Sequence, residues 1–204
     1  QVKAFEEEGA NIEEVKIGIG RPQQELSDLW CRLIIPRNIT TLEAVKVSGP
    51  DLLGEHHHDF PAEYLRWIRV GQHLSAVDFY KDQEIRTEIY DAIQSVLNDY
   101  DLLVTPTLAC LPVDNSNDGN TLGPSEINGE PVDPLIGWCL TYLFNFTGHP
   151  AASIPAGLSE DGLPVGMQII GRRYADADVL AASAAFERLR PWQESYRQCT
   201  ERVF

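Results

Sequence analysis

The chain has 204 residues, is 43% hydrophobic with 4 Trp, 7 Tyr and 7 Phe, and carries 31 Asp+Glu against 16 Lys+Arg, a net charge of −15. That apolar content excludes a disordered chain and is enough for the core of one domain. The acidity argues against nucleic acid or an anionic membrane as partner, since both are gripped by basic patches.

Residues 1–8 read as a helix, with Ala4 and the Glu6–Glu8 run favouring it and Gly9 stopping it. Ile12 and the alternating Val15, Ile17 and Ile19 read as a strand. The chain opens inside a helical pattern with no methionine and no cap, so residue 1 is expected to be a cut and the domain incomplete. Arg21-Pro22 opens a second helix with Leu26, Leu29, Trp30, Leu33 and Ile34 on its core face, and Pro36 is expected to end it. Residues 37–62 then read as irregular, and Glu63–Arg69 as a short helix carrying Tyr64, Trp67 and Ile68.

Ser75, with Asp78 three residues on, is a capping box for the longest helix. The stripe Phe79, Ile85, Ile89, Ile93, Val96 and Leu97 marks that helix's buried face. Leu102–Thr105 reads as a buried strand, and 111–132 as a polar loop with a hairpin turn at Asn128-Gly129. Leu135–Phe144 reads as an apolar helix. Two short strands follow, Ala151–Ala156 and Val165–Ile170, with Pro150 and Pro155 suited only to strand ends or an edge. Asp176 is expected to cap a last helix reaching about Leu189 before Pro191. Strands interleaved with helices imply an α/β fold.

Chemistry-bearing residues are few. Glu55-His56-His57-His58-Asp59 holds metal-ligand types, but adjacent side chains diverge, and a solvated loop is the expectation. His149 as a general base for Ser153 lacks an orienting carboxylate, and a packing or hydrogen-bonding role is expected instead. Cys31, Cys110, Cys139 and Cys199 match no zinc or redox spacing. The first three sit in apolar surroundings and read as buried, reduced thiols of a cytoplasmic protein. The longest uncharged apolar run, Leu135–Phe146, is roughly 12 residues, too short to cross a bilayer. No metal or cofactor is expected.

Two stretches carry a family resemblance: Asn145-Phe-Thr-Gly-His-Pro-Ala-Ala-Ser-Ile-Pro-Ala-Gly157 and Gly162-Leu-Pro-Val-Gly-Met-Gln-Ile-Ile-Gly171. With Leu102-Leu-Val-Thr-Pro-Thr107 before them and Phe186-Glu187 and Pro191-Trp192 after, they resemble, in order, the C-terminal half of the amidase signature family. The firm likeness covers residues 75–195, and residues 1–74 are less certain. The resemblance implies the C-terminal part of a mixed β-sheet core flanked by helices, with the whole chain, 1–204, a single incomplete domain. It also implies hydrolysis of a carboxylic amide by a serine nucleophile, a second serine in a cis peptide and a lysine base, through an acyl-enzyme.

That machinery is not in this sequence. There is no Gly-Gly-Ser-Ser run, and the four lysines, Lys3, Lys16, Lys46 and Lys81, lie in solvated contexts. The implied partner is therefore an N-terminal half carrying Ser/Ser/Lys, with a small-molecule amide as substrate and homo-oligomerisation as another way to cover the exposed edges. What this chain would supply is pocket wall, at Thr105, Pro106 and Thr107 and along Trp138–Asn145. Trp138 and Phe144 fit wall and plain core equally well, and Asn145 fits better as the holder of the turn before the strand. Two other readings remain open. One is a non-catalytic binding or assembly module descended from an amidase. The other is an amidotransferase component that works on aminoacyl-tRNA, which the acidity disfavours.

Overall fold

The computed structural model describes residues 1–200, with side chains through Tyr196. Cys199 lies beyond the described side chains. Six α-helices are described, α1 Gln23–Ser48, α2 Ala62–His73, α3 Ala76–Asp99, α4 Tyr142–Thr147, α5 Asp176–Leu189 and α6 Gln193–Thr200, together with short 3-10 helices at Val2–Glu8 and His57–Asp59. The strands are β1 Leu102–Pro106, β2 Glu126–Ile127, β3 Glu130–Pro131, β4 Ala151–Leu158 and β5 Pro164–Gly171. β1, β5 and β4 form one antiparallel sheet in that order, and β2 and β3 a separate hairpin. The α/β expectation is borne out.

β5 is the centre of the sheet, and its period of two distributes the core. Met167 and Ile169 face one side, where they pack with Phe5, Ala156, Val179 and Phe186 beneath α5. Ile170 faces the other, joining Leu29, Ile89, Ile93, Leu97, Tyr142, Phe144 and Phe146 between α1, α3 and α4. A third cluster, Cys31, Ile35, Trp67 and Ile68, glues α1 to α2. β4 is an edge strand, and Pro155 sits at a bulge in it, where a missing N–H costs no ladder bond.

α3 starts as its sequence dictates. Ser75 Oγ accepts from the Asp78 backbone N–H at 3.1 Å and donates to the Asp78 carboxylate at 2.7 Å. Ile89, Ile93 and Leu97 are fully buried on its inner face. The β2–β3 turn places Asn128 and Gly129 at φ 53° and 83°, the left-handed pair that a tight hairpin needs.

Four elements differ from expectation. Pro36 does not end α1, which runs on to Ser48. The proline leaves one backbone bond unmade, but tertiary packing carries the helix through. Ile35 and Ile39 press against Gly71 of α2, where a Cβ would collide with both, and the Thr40 and Thr41 hydroxyls donate to the Pro36 and Arg37 carbonyls. Residues 10–20 form no strand among the described residues. Val15, Ile17 and Ile19 alternate inward against the core, so the backbone is extended as the pattern requires, but it has no ladder partner there.

Residues 135–141 are a run of turns, with helix only at Tyr142–Thr147. Here the backbone makes another pairing instead. Ala109 N donates to Trp138 O at 2.9 Å, Leu140 N to Thr107 O at 3.1 Å, and Leu108 bridges Cys139. Finally, α5 is capped at Ala175 without a side-chain bond, Asp176 being its first residue, and α6 continues past Pro191-Trp192.

Among the described residues no helix is long and apolar enough to cross a membrane. The His run forms a short exposed turn: His57 Nδ1 meets Gly54 O at 2.9 Å, and His56 and His58 face the Asp59 carboxylate.

Candidate active site

The end of β1 brings a set of small polar groups together on the sheet. Antiparallel pairing sets Thr105 opposite Gln168 and Gln168 opposite Ser153. Gln168 is buried, and its Nε2 donates to Pro106 O at 3.1 Å and approaches Thr105 Oγ1 at 3.3 Å. A single amide thus holds the strand end where Pro106 supplies no backbone donor. One residue on, Thr107 Oγ1 and Ser153 Oγ lie 2.7 Å apart. Gly166 lies under this pair, where a Cβ would stand 2.8 Å from Thr107 Oγ1 and 3.4 Å from Ser153 Oγ. Only glycine lets the two hydroxyls meet across the sheet.

Trp138 approaches the same strand end from the turn run. Its Nε1 donates to Pro134 O at 3.0 Å, and its ring lies against Gly123, leaving no room for a side chain there. The 107–109 and 138–140 backbone bonds therefore fix Trp138 relative to Thr107. Phe144 is elsewhere, buried in the larger core cluster, and Asn145 is exposed on α4 with its amide 3.4 Å from Thr141 O. The structure thus joins Thr105, Pro106, Thr107 and Trp138, and separates Phe144 and Asn145 from them.

A groove of about 660 Å³ opens from Ser153 along the β4–β5 hairpin, walled by Ile154, Pro155, Leu163, Trp192 and Tyr196. Its lining is mostly apolar, and its size suits a small organic ligand. Gln168 and Gly166 do not stand out in the sequence as members of a site, and Ser153 does so only as a conceivable partner of His149. The available signal is a polar residue inside each of two apolar strand runs.

The chemistry open to these groups is hydrogen bonding, not nucleophilic attack. Among the described residues Ser153 Oγ meets a neutral hydroxyl and no base. His149 is not its partner. Its Nδ1 lies 2.7 Å from Thr147 Oγ1 and its Nε2 3.3 Å from Gln94 Oε1, and its ring stacks on Tyr90 with centroids 5.5 Å apart. Burial, then the nearby Arg173 charge, push the His149 pKa below its ordinary value of 6.5.

On acidification the unfolded chain therefore takes up the proton before the folded one does. Stability is intact above the unfolded value and falls as pH drops below it, towards the folded pKa. His149→Gln removes this loss. The gap between the urea midpoints of wild type and variant is expected to narrow from about pH 7.5 to about pH 5. A constant gap would show that His149 keeps its unfolded-state affinity for the proton.

Cys31 is buried, whereas Cys110 and Cys139 are only partly buried; burial raises the pKa of all three thiols, that of Cys31 up to about 12. Among the described residues no three His, Cys, Asp or Glu side chains are placed to hold a metal ion.

Comparison with known proteins places this arrangement in a family. The Amidase family model matches residues 1–180. An acylamidase of Rhodococcus erythropolis is 34% identical over 196 residues, covering 94% of this chain and 38% of that protein. A component of the glutamyl-tRNA(Gln) amidotransferase of Thermodesulfovibrio yellowstonii is 31% identical over 163 residues, covering 74% of this chain and 31% of that one. The crystal structure of a bacterial aryl acylamidase of the amidase signature family superposes with a TM-score of 0.94 at 49% identity, covering 100% of this chain and 41% of that chain. The chain thus spans about two fifths of the length of the acylamidases it matches. With the family model covering most of its length and these relatives matching nearly all of it, the chain belongs to the amidase signature family.

Proposed function

We propose that this chain is the part of an amidase that shapes the substrate pocket, working with a segment that carries the Ser/Ser/Lys machinery and inactive without it. The assembled enzyme hydrolyses a carboxylic acylamide. The acyl group passes to the serine, the amine leaves with a proton, and water releases the acid. The observation that carries this reading is the Thr107–Ser153 hydroxyl pair at the mouth of an apolar groove, with Gln168 holding the strand end behind it. Hydrogen-bonding groups beside an apolar wall orient an amide while the groove takes its hydrocarbon part. Of the expected wall residues, Thr107 reaches that mouth through Ser153, and Thr105, Pro106 and Trp138 stand behind it at the end of β1. Phe144 serves as core and Asn145 holds the turn of α4 that precedes β4.

Completion by a second segment is supported by what the fold leaves open. β1 and β4 are both edges, residues 10–20 are extended without a ladder partner among the described residues, and Leu158, Leu163 and Val165 are more than a third exposed. Such edges and apolar faces favour pairing. Residues 1–204 then form a single incomplete domain, and the described free thiols suit the cytoplasm. Acylamidase relatives support a small amide as substrate. A net charge of −15 is poorly suited to direct contact with tRNA.

The test is co-expression with the part of the aryl acylamidase that this chain does not match, followed by release of a chromogenic aniline from an anilide. The chain alone is expected to give no turnover and the pair to give turnover. Ser153→Ala in the pair is expected to raise KM several-fold with kcat little changed, the mark of an orienting contact. Turnover by the chain alone, or a stable complex that binds anilide without turnover, would favour another reading. The second of these outcomes would point to the non-catalytic module.

A further inference from the structure

A different hollow lies where α3 meets the end of α4 and the residues after β5. It has a volume of about 270 Å³ and is lined by Gln83, Arg86, Thr87, Tyr90, Thr147 and Arg173, together with Phe146. The first four sit at i, i+3, i+4 and i+7 of α3, on one face of the helix. None of the lining residues is acidic, in a chain with 31 Asp+Glu against 16 Lys+Arg.

The two guanidiniums are held in place without using up their charge. Arg86 Nε donates to the Phe146 carbonyl and Nη1 to Gln83 Oε1 at 3.2 Å. Arg173 lies 5.1 Å over the Tyr174 ring, with Nη2 3.4 Å from the Tyr174 hydroxyl. That nitrogen also stands over Gly148, 3.8 Å from where a Cβ would be. Arg21, Arg32, Arg66, Arg172 and Arg190 each meet a carboxylate. Among the described residues Arg86 and Arg173 meet none, as is also true of Arg37, Arg69 and Arg188, which lie outside the hollow. Every partner that Arg86 and Arg173 have there is neutral, so the charge that balances them comes from solution.

We propose that this hollow binds a small oxyanion, a carboxylate or a phosphate, between Arg86 and Arg173. Guanidinium is the group that best matches such oxygens, through paired N–H donors in one plane. The volume is below the range for drug-sized ligands and suits one compact anion. Arg86 is the pre-oriented half of the clamp, fixed by the Phe146 carbonyl. Arg173, held against Tyr174, supplies the other half.

The test is thermal unfolding of the whole 204-residue chain in sodium phosphate, sodium acetate or sodium chloride at equal ionic strength. Because the folded state alone holds the ligand, phosphate or acetate is expected to raise Tm above its chloride value by about 2–4 °C at near-saturating concentration. The rise is expected to vanish in Arg173→Gln, to persist in part in Arg173→Lys, and to be unchanged in Arg188→Gln, which alters an arginine outside the hollow. The larger of the two responses identifies the oxyanion. An equal response to all three salts, or a rise that survives in Arg173→Gln, overturns the proposal.

Discussion

Asp133→Ala is expected to destabilise the chain by about 3 kcal/mol, read as a fall in the urea midpoint at unchanged slope. The residue is only 3% exposed, and its carboxylate serves three donors. It accepts from Arg66 Nη2 at 2.5 Å, from Trp67 Nε1 at 3.2 Å and from the Leu135 backbone N–H at 2.9 Å. Arg66 is about half exposed, so its charge returns to water and that pairing adds little. The larger loss comes from the Trp67 and Leu135 donors, which keep their surroundings and lose their acceptor.

The consequence reaches the candidate site. Asp133 also offers its backbone carbonyl to Gly137 at 2.7 Å, and Gly137 must be glycine because a Cβ would stand 2.5 Å from the Asp133 nitrogen. This turn presents Trp138 beside Thr107. Asp133→Ala is therefore expected to loosen Trp138, seen as a red shift of tryptophan emission before global unfolding. Asp133→Asn keeps one acceptor oxygen and is expected to cost less. A midpoint change equivalent to under about 1 kcal/mol would show that α2 and the turn are not tied through this side chain.

The contrast between Pro36 and Ser75 shows what the sequence can and cannot reveal. Ser75 and Asp78 are three residues apart and bond to one another, so α3 begins where local chemistry says it must. Pro36 sits in a helix that local chemistry says should stop, and what overrides it is Gly71 on another helix, which admits Ile35 and Ile39. Val15, Ile17 and Ile19 alternate like a strand, and their side chains do turn inward, but a ladder is a property of two segments and the partner is not among the described residues. The apolar run 135–144 misleads for the same reason. Trp138 and Leu140 satisfy their backbone groups against 107–109 and not within a helix.

At the site, Thr105, Pro106 and Thr107 are legible as the end of an apolar strand. Ser153 and Gln168 acquire meaning only through partners 46 and 63 positions away. Phe144 and Asn145, adjacent in sequence, point one into the core and one into solvent, a distinction set by the short helix that holds them.

Phe186→Ala is expected to cost the most, about 3–5 kcal/mol, because it removes a fully buried aromatic ring and leaves a cavity its neighbours cannot fill. The ring is at the centre of the smaller core. Phe5 packs against it with centroids 5.5 Å apart and planes at 44°, and Met167, Ile169 and Val179 share the same cluster. Against a total stability of about 5–15 kcal/mol, the loss would bring the chain close to its threshold. The damage would be polarised. Phe186 holds α5 to the face of β5 that carries Met167 and Ile169, and it also docks residues 1–8, whose Phe5 and Ala4 are that segment's buried residues. Amide exchange is therefore expected to quicken first in residues 2–9 and in α5, while α3, anchored by Ile89, Ile93 and Leu97 on the opposite face, keeps its protection. A cycle with Phe5→Ala isolates the ring–ring contact, and a coupling of about 0.5–1.5 kcal/mol is expected. Zero coupling, or equal loss of protection on both faces of the sheet, would mean that the two cores fold as one unit and that β5 does not insulate them. In that case a change beneath α5 would be felt at Gln168 and Ser153, which lie on the sheet between the two cores, and at Thr107 just past the end of β1.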